Sequence, residues 1–454
     1  MSRSTVQEAL IVTRLGLPLI ISHMAIIGMA ATDTIFSGLV STENLAGLSI
    51  AASIWSGLSV FILGMCGATV TIAAQLHGGG RFSRIGFQVH QTAWIGFATA
   101  ACICLLLATS QWWLRALQPP GPVTEIAWRY LTILTLGCFG FVLTAVMQGA
   151  CEAVGDTTLA MITNIGLFLL NALFDYSLVF GHFGLPQLGA IGCAWASVLA
   201  YWLVAIALAL YLQSRASYRR YHLFTKAWMP HAKSIRKQLG LSLPLAIGAG
   251  GEVFFFSSIA LTLAPFGPIA LASHQVVFNF SAIVYMIPLG LSVAVCIRVA
   301  QLRGAGQEVG AVFSAFTGTK VAVCIAAVTA LLTILARHWI AERYSPDQEV
   351  QAIAAQLLLI CALYQLFDGL QVSSWGGLRG FGDTKIPMLL QLTAYWLCGF
   401  PIGLLLAHGL QLGVYGFWLG IVCGLMTAAV LLHTRLHIIS RRFASTAALQ
   451  QHAA

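Results

Sequence analysis

Gln148–Thr158 reads QGACEAVGDTT, and Trp375–Lys385 reads WGGLRGFGDTK. Gly155-Asp156-Thr157 and Gly382-Asp383-Thr384 are the same turn, 227 residues apart in a chain of 454. One Gly-Asp-Thr match carries little weight, because turn residues recur by chance. Two further pairs keep nearly the same spacing. Gln75–Gly80 (QLHGGG) answers Gln301–Gly306 (QLRGAG) at 226, and Leu188–Gly192 (LGAIG) answers Leu412–Gly416 (LGVYG) at 224. Three anchors in one order at nearly constant spacing mark an internal duplication.

The composition says what surrounds the two copies. Hydrophobic residues make up 59% of the chain and charged residues 8%, with a mean hydropathy of +0.86. A chain this apolar is solvated by lipid. Apolar runs of spanning length lie at 10–38, 45–76, 86–111, 124–149, 158–180 and 189–213, and again at 239–263, 270–302, 312–336, 349–375, 384–407 and 412–439. Each exceeds the roughly 20 residues that cross a bilayer as helix. The expected fold is an all-α polytopic membrane protein of twelve transmembrane helices. Residues 1–213 form an N-terminal six-helix bundle, 214–238 a basic cytoplasmic linker, and 239–454 a C-terminal bundle with a short tail. Six helices per copy leave the bundles parallel, related by a pseudo-two-fold axis along the membrane normal. The N-terminal run is too long for a cleavable signal. The eleven cysteines show no CxxC spacing and read as small core residues.

Lys and Arg in the short loops set the orientation. With the N-terminus inside, 18 of the 23 basic residues face the cytoplasm, seven of them between Ser214 and Gln238. Both termini are then cytoplasmic. The positive-inside bias accounts for the +9 net charge without a nucleic-acid partner.

Four of the fourteen acidic residues lie inside spanning runs: Asp33, Asp175, Glu252 and Asp368. Each costs about 2.5–3.5 kcal/mol to insert at a helix centre, so such residues face a protein interior or a wet cavity. Asn171 and Asp175 share a helix face, as do Tyr364 and Asp368. An amide oxygen or phenol beside a carboxylate is what a desolvated small cation or a shared proton needs. Glu252 follows Gly248-Ala249-Gly250-Gly251, where a neighbouring helix can approach closely. Around it cluster Phe254, Phe255, Phe256, Phe278, Phe280 and Tyr285, of which one or two can line a cavity. Phe256, Phe278 and Gln371 are the candidates for a substrate cavity. Pro18 and Pro244, 226 residues apart, are either hinges or tolerated membrane prolines. His274, near the outer end of its helix, suits interfacial placement better than a relay role.

At these residues the chain resembles the multidrug and toxic compound extrusion (MATE) transporters, most closely the branch of the bacterial NorM pumps. The resemblance covers nearly the whole chain. Its most specific pieces are ATDTIFSG around Asp33, the Gln75 turn, NALFDYSLVFG with LGAIGCAWAS, GGEVFFF around Glu252, and DGLQVSSWGGLRGFGDTKIP from Asp368. It implies antiport of organic cations such as drugs and dyes against inward Na+ or H+, with no other cofactor and no structural metal. It implies an N-lobe cation and proton site at Asp33, Asn171 and Asp175, and a C-lobe cation site at Glu252, Tyr285, Tyr364 and Asp368. Many relatives carry one set in full, and this chain carries both. Asp347 in ERYSPDQE matches a drug-site position of some relatives. The family implies a protein working as a monomer in the bacterial inner membrane, its two bundles rocking about the sites.

No GxxxxGK[ST] loop is present to hold ATP, so an ion gradient should drive transport. No HExxH, GxSxG or paired-histidine motif lies in a span, which argues against a membrane-embedded enzyme. A flippase for lipid-linked oligosaccharides is the alternative of related architecture. Its anionic cargo calls for Arg or Lys in the cavity, whereas the spans here hold acids.

Overall fold

The computed structural model describes residues 4–117, 121–224 and 229–452; Arg3 and Lys226, counted above as inside-facing bases, fall outside them. Among the described residues, twelve helices are long and apolar enough to cross a membrane, and there is no strand. In chain order they are α1 (Thr5–Val40), α2 (Thr42–Gly78), α3 (Ser83–Ala108), α4 (Pro122–Ala153), α5 (Thr157–Phe180) and α6 (Ala190–Ser214). The second set is α7 (Ala232–Phe266), α8 (Pro268–Gly304), α9 (Glu308–Tyr344), α10 (Gln348–Gly380), α11 (Lys385–Gly409) and α12 (Val414–Phe443). Each overlaps one of the runs read from hydropathy, with ends shifted by a few residues. Large apolar side chains such as Leu105, Leu261 and Leu335 face outward, because hydrocarbon solvates them as well as a core does.

Two of the three sequence anchors are helix-ending turns and the third leads into a helix, and their glycines explain why they persist in both copies. Gly80 and Gly306 have φ of 68° and 73°, Gly155 and Gly382 of 91° and 77°, and Gly189 and Gly413 of 57° and 55°. Left-handed backbone strains any residue with a Cβ. The hydrogen bonds repeat as closely. Arg81 N donates to Leu76 O and Gln307 N to Leu302 O, both at 2.9 Å; Asp156 N donates to Cys151 O and Asp383 N to Leu378 O, both at 3.0 Å. These are Schellman closures, which satisfy the last carbonyls of a helix. The two aspartates then diverge. Asp156 caps α5 through Leu159 N and accepts from Tyr218 Oη at 2.7 Å, whereas Asp383 pairs with Arg435 at 2.8 Å.

The compact units do not divide at the basic loop. One comprises Ile21–Ala246; the other comprises Met1–Ile20 together with Ile247–Ala454. Each copy thus gives the leading part of its first helix to the unit of the other, and the sequence division at 213 and 239 shifts accordingly. Pro18 and Pro244 lie two residues before the two boundaries. A proline removes one backbone bond and bends the helix, so the two parts of α1, and of α7, can pack in different directions. The packing confirms the exchange. A Cβ on Gly290 would stand 2.7 Å from the Ile20 nitrogen, and one on Gly64 2.7 Å from the Ala246 nitrogen. These contacts are one contact in two copies, since Gly64 and Gly290 stand 226 apart, as do Ile20 and Ala246. Within the second unit, Glu8 and Arg298 form a buried two-pronged ion pair at 2.6 and 3.2 Å.

The 214–238 linker is more than a solvated basic loop. Tyr218, Tyr221 and Leu223 are buried. Gly86 N donates to Tyr221 O at 2.9 Å, and Arg220 lies over the Phe82 ring at 4.7 Å. Further on, Gln238 donates to Gln88 Oε1 at 2.8 Å and accepts from Thr92 at 3.0 Å. The linker is clasped to α2 and α3 of the first unit.

Candidate cation sites

Asp33 on α1 and Asn171 and Asp175 on α5 meet inside the Ile21–Ala246 unit, and all three are buried. With its NH2 turned toward the acids, Asn171 donates to Asp175 Oδ2 at 3.0 Å and to Asp33 Oδ1 at 3.2 Å, while its oxygen accepts from Ser197 Oγ at 3.3 Å. In the reverse setting Nδ2 donates to Ser197 at 3.3 Å, and the amide oxygen faces two carboxylates. That setting is repulsive unless a positive charge lies between them. Asn171 thus sits between the two acids as a donor to both. Asp175 Oδ1 is buried without a hydrogen-bond partner.

Cys193, read from sequence as a core residue like the other cysteines, belongs to this cluster. Its sulfur and the Asp33 and Asp175 oxygens lie within 4.8 Å of one another, the one such group of three ligand residues among the described residues. Cys193 and Ser197 stand four apart on α6, so one face carries both. Only the tertiary packing of α6 against α1 and α5 shows this. The broader cysteine reading also needs correction: Cys102 and Cys324 are exposed.

In the other unit the predicted residues fall into two adjoining groups. Tyr285, Tyr364 and Asp368 line one small cavity with Gln365, Thr329 and Pro288, and it has room for about one water-sized guest. Asp368 Oδ1 is buried without a partner, and so is Gln365 Oε1. Glu252 does not line this cavity. It is half-buried, and its carboxylate accepts from Gln391 Nε2 at 3.0 Å and is reached by the Tyr395 phenol. Tyr395 in turn accepts from Gln371 Nε2 at 2.6 Å. Gln371 follows Asp368 by three residues on α10, so the two groups are held on one helix. Among the candidate cavity residues, Phe256 and Phe278 pack on each other at 5.6 Å, and none of Phe256, Phe278 and Gln371 lines the Asp368 cavity.

Gln391 and Tyr395, both on α11, were not singled out from the sequence. A signal existed. Gly399 and Gly403 on α11 face Gly420 and Gly424 on α12 so closely that a Cβ on Gly420 would run into the Gly403 backbone. Small residues four apart on two successive spans mark such backbone-to-backbone packing. Beside it α11 opens into π-helical turns at Ala394–Gly399 and Leu405–Gly409. Such turns re-aim side chains and recur at functional sites. The first carries Tyr395 and Trp396, and Phe255 stacks on Tyr395 at 5.1 Å.

Two other expectations change. His274 lies inside the protein near the start of α8: it is 1% exposed, stacked on Phe278 at 5.8 Å, with Nδ1 unpartnered. Asp347 caps α10, accepting from Glu349 N at 2.8 Å and Val350 N at 3.3 Å.

Known proteins agree with this architecture. The MatE family model matches twice, over residues 18–177 and 244–405, which restates the duplication. The eukaryotic MATE transporter AtDTX14 is 22% identical, with a TM-score of 0.87 over 98% of each chain. A multidrug resistance MATE family transporter of the MOP superfamily, in an outward-facing conformation, is 18% identical, with a TM-score of 0.88 over 98% of this chain and 100% of that one. A MOP superfamily transporter from Pyrococcus furiosus, described as having a binding pocket of reversed polarity, is 18% identical at a TM-score of 0.87 over 98% and 99%. At these identities the likeness speaks for the fold, and the family model spans most of the sequence. The chain belongs to the MatE family of membrane transporters.

Proposed function

We propose that this transporter is a secondary active antiporter that exports organic cations in exchange for Na+ or H+. The observation that carries the reading is the Asp368 cavity. A buried carboxylate oxygen without a partner, beside two phenols, borders a space suited to a bare cation or a water and far too small for a dye. Burying such a group without compensation costs several kcal/mol, and a cation or a proton removes that cost. The Asp33–Asn171–Asp175 cluster repeats the logic in the other unit, where Asp175 Oδ1 is also buried without a partner.

Ion and drug then compete for the same negative charge. Aromatic faces hold a delocalised organic cation at about 0.5–2 kcal/mol per contact, which favours breadth over selectivity. The acidic character of both sites disfavours the anionic cargo of an oligosaccharide-lipid flippase. On the same reading the protein works in a bacterial inner membrane with both termini cytoplasmic, acting as a monomer, since each site is complete within one chain.

The test is ethidium efflux from proteoliposomes, driven in one arm by a Na+ gradient alone and in the other by a pH gradient alone. One gradient should drive uphill efflux. Efflux that neither gradient supports, together with movement of a labelled lipid-linked oligosaccharide, would overturn the proposal.

A further inference from the structure

Among the described residues, Cys193 alone of the eleven cysteines stands in a cluster with two buried acids. We infer that Asp33, Asp175 and Cys193 form a binding site for a thiophilic divalent cation of the zinc–cadmium class. Three side-chain ligands converge from α1, α5 and α6, their donor atoms all within 4.8 Å of one another. Bonds of about 2.0–2.2 Å to oxygen and about 2.3 Å to sulfur call for somewhat closer ligands, so a contraction of about an ångström completes the site. Asp175 Oδ1 is already free of any other hydrogen bond. Asn171 offers a fourth ligand when its oxygen turns inward and its Nδ2 donates to Ser197.

Charge and softness pick the ligand class. Na+ on two carboxylates leaves one net negative charge. A dication on two carboxylates and a thiolate leaves the same, the thiol proton having passed to solvent as the metal–sulfur bond forms. The bound dication therefore leaves no larger net charge in the site, and it gains a bond to sulfur that hard Na+ does not make. Such a metal ion occupies the site in place of the coupling cation, and this consequence, unlike the binding itself, rests on the proposed coupling role of the N-lobe.

The experiment uses the full chain in nanodiscs with Cd2+ alone, following the ultraviolet charge-transfer band of cadmium thiolate and the equilibrium binding of the metal. Wild type should show one thiolate ligand more than Cys193→Ser. Asp175→Asn and Asp33→Asn, which keep the thiol, should weaken that step at least tenfold. Equal bands in wild type and Cys193→Ser overturn the site. So does a Cys193 band that Asp175→Asn leaves at full strength, because the thiol then acts alone. Thermal unfolding of each variant confirms a folded protein, and the aspartate variants decide the matter if Cys193→Ser does not fold. A Cys193-dependent band that saturating Na+ fails to displace at constant pH supports the metal site while counting against Na+ coupling through the N-lobe, so the two readings fail separately.

Discussion

Glu252 and its amide partner show how much one side chain can matter here. Gln391 supplies the one amide bond measured to the carboxylate, at 3.0 Å. A hydrogen bond to a charged group is worth about 1.5–3 kcal/mol, and a tenfold change in affinity is about 1.4 kcal/mol. Gln391→Leu removes a donor that stabilises the empty carboxylate, and should therefore lower the half-saturating concentration of the coupling cation about tenfold or more while the protein still folds; an unchanged cation dependence of ethidium efflux would remove Gln391 from the site. The turn glycines separate strain from crowding. Gly306 has φ 73° and nothing within 4 Å of an added methyl, so Gly306→Ala should cost only the left-handed penalty of about 1–2 kcal/mol. At Gly189 the methyl also meets Asn44 Oδ1, which accepts from Ala190 N at 2.8 Å. Gly189→Ala should lower the unfolding temperature clearly more than Gly306→Ala, and equal shifts would refute the crowding argument.

At the scale of elements, α11 and α12 pack by backbone contact, and that contact sets where Tyr395 points. A Cβ on Gly420 collides with Gly403, whereas a Cβ on Gly403 meets Phe417 Cδ1 at an ordinary 3.5 Å. Gly420→Ala should spread the two helices and depress both thermal stability and efflux; Gly403→Ala should be tolerated. If the two variants behave alike, this packing does not control the site. The linker makes a different prediction. Burial pushes the Tyr218 phenol well above its ordinary range, and Asp156 accepts its proton at 2.7 Å. A group whose folded-state pKa is raised contributes stability that is present in full below its unfolded value and is lost as pH rises beyond it. The linker clasp should hold at neutral pH and weaken above about pH 10. The difference in unfolding temperature between wild type and Tyr218→Phe should accordingly shrink above that pH, and a constant difference would show that the hydrogen bond is not what holds the linker.

For the whole molecule the question is which unit couples. Each unit holds its own carboxylate pair, and the Asp368 cavity has room for one bare ion. Glu252→Gln and Asp368→Asn should each reduce ion-driven efflux more than tenfold with normal expression, since losing a buried charge eases membrane insertion. Wild-type efflux from both, with Asp33→Asn inactive, would assign coupling to the other unit.

The sequence by itself determined the solvent, the number of spans and the duplication, because these rest on local properties. Hydropathy acts run by run, and left-handed turns admit little but glycine, so Gly80, Gly155 and Gly189 mark themselves and their partners. It also marked Asp33, Asp175, Glu252 and Asp368, because ionisable groups in lipid are too costly to be incidental. Tertiary structure decided how these were grouped. Cys193 looks like any small membrane residue until α6 brings it beside two acids, and Tyr395 looks like core until a π turn aims it at Glu252. The exchange of α1 and α7 between units was equally hidden: prolines announce a bend, but which bundle each part joins depends on contacts with residues far away in the chain.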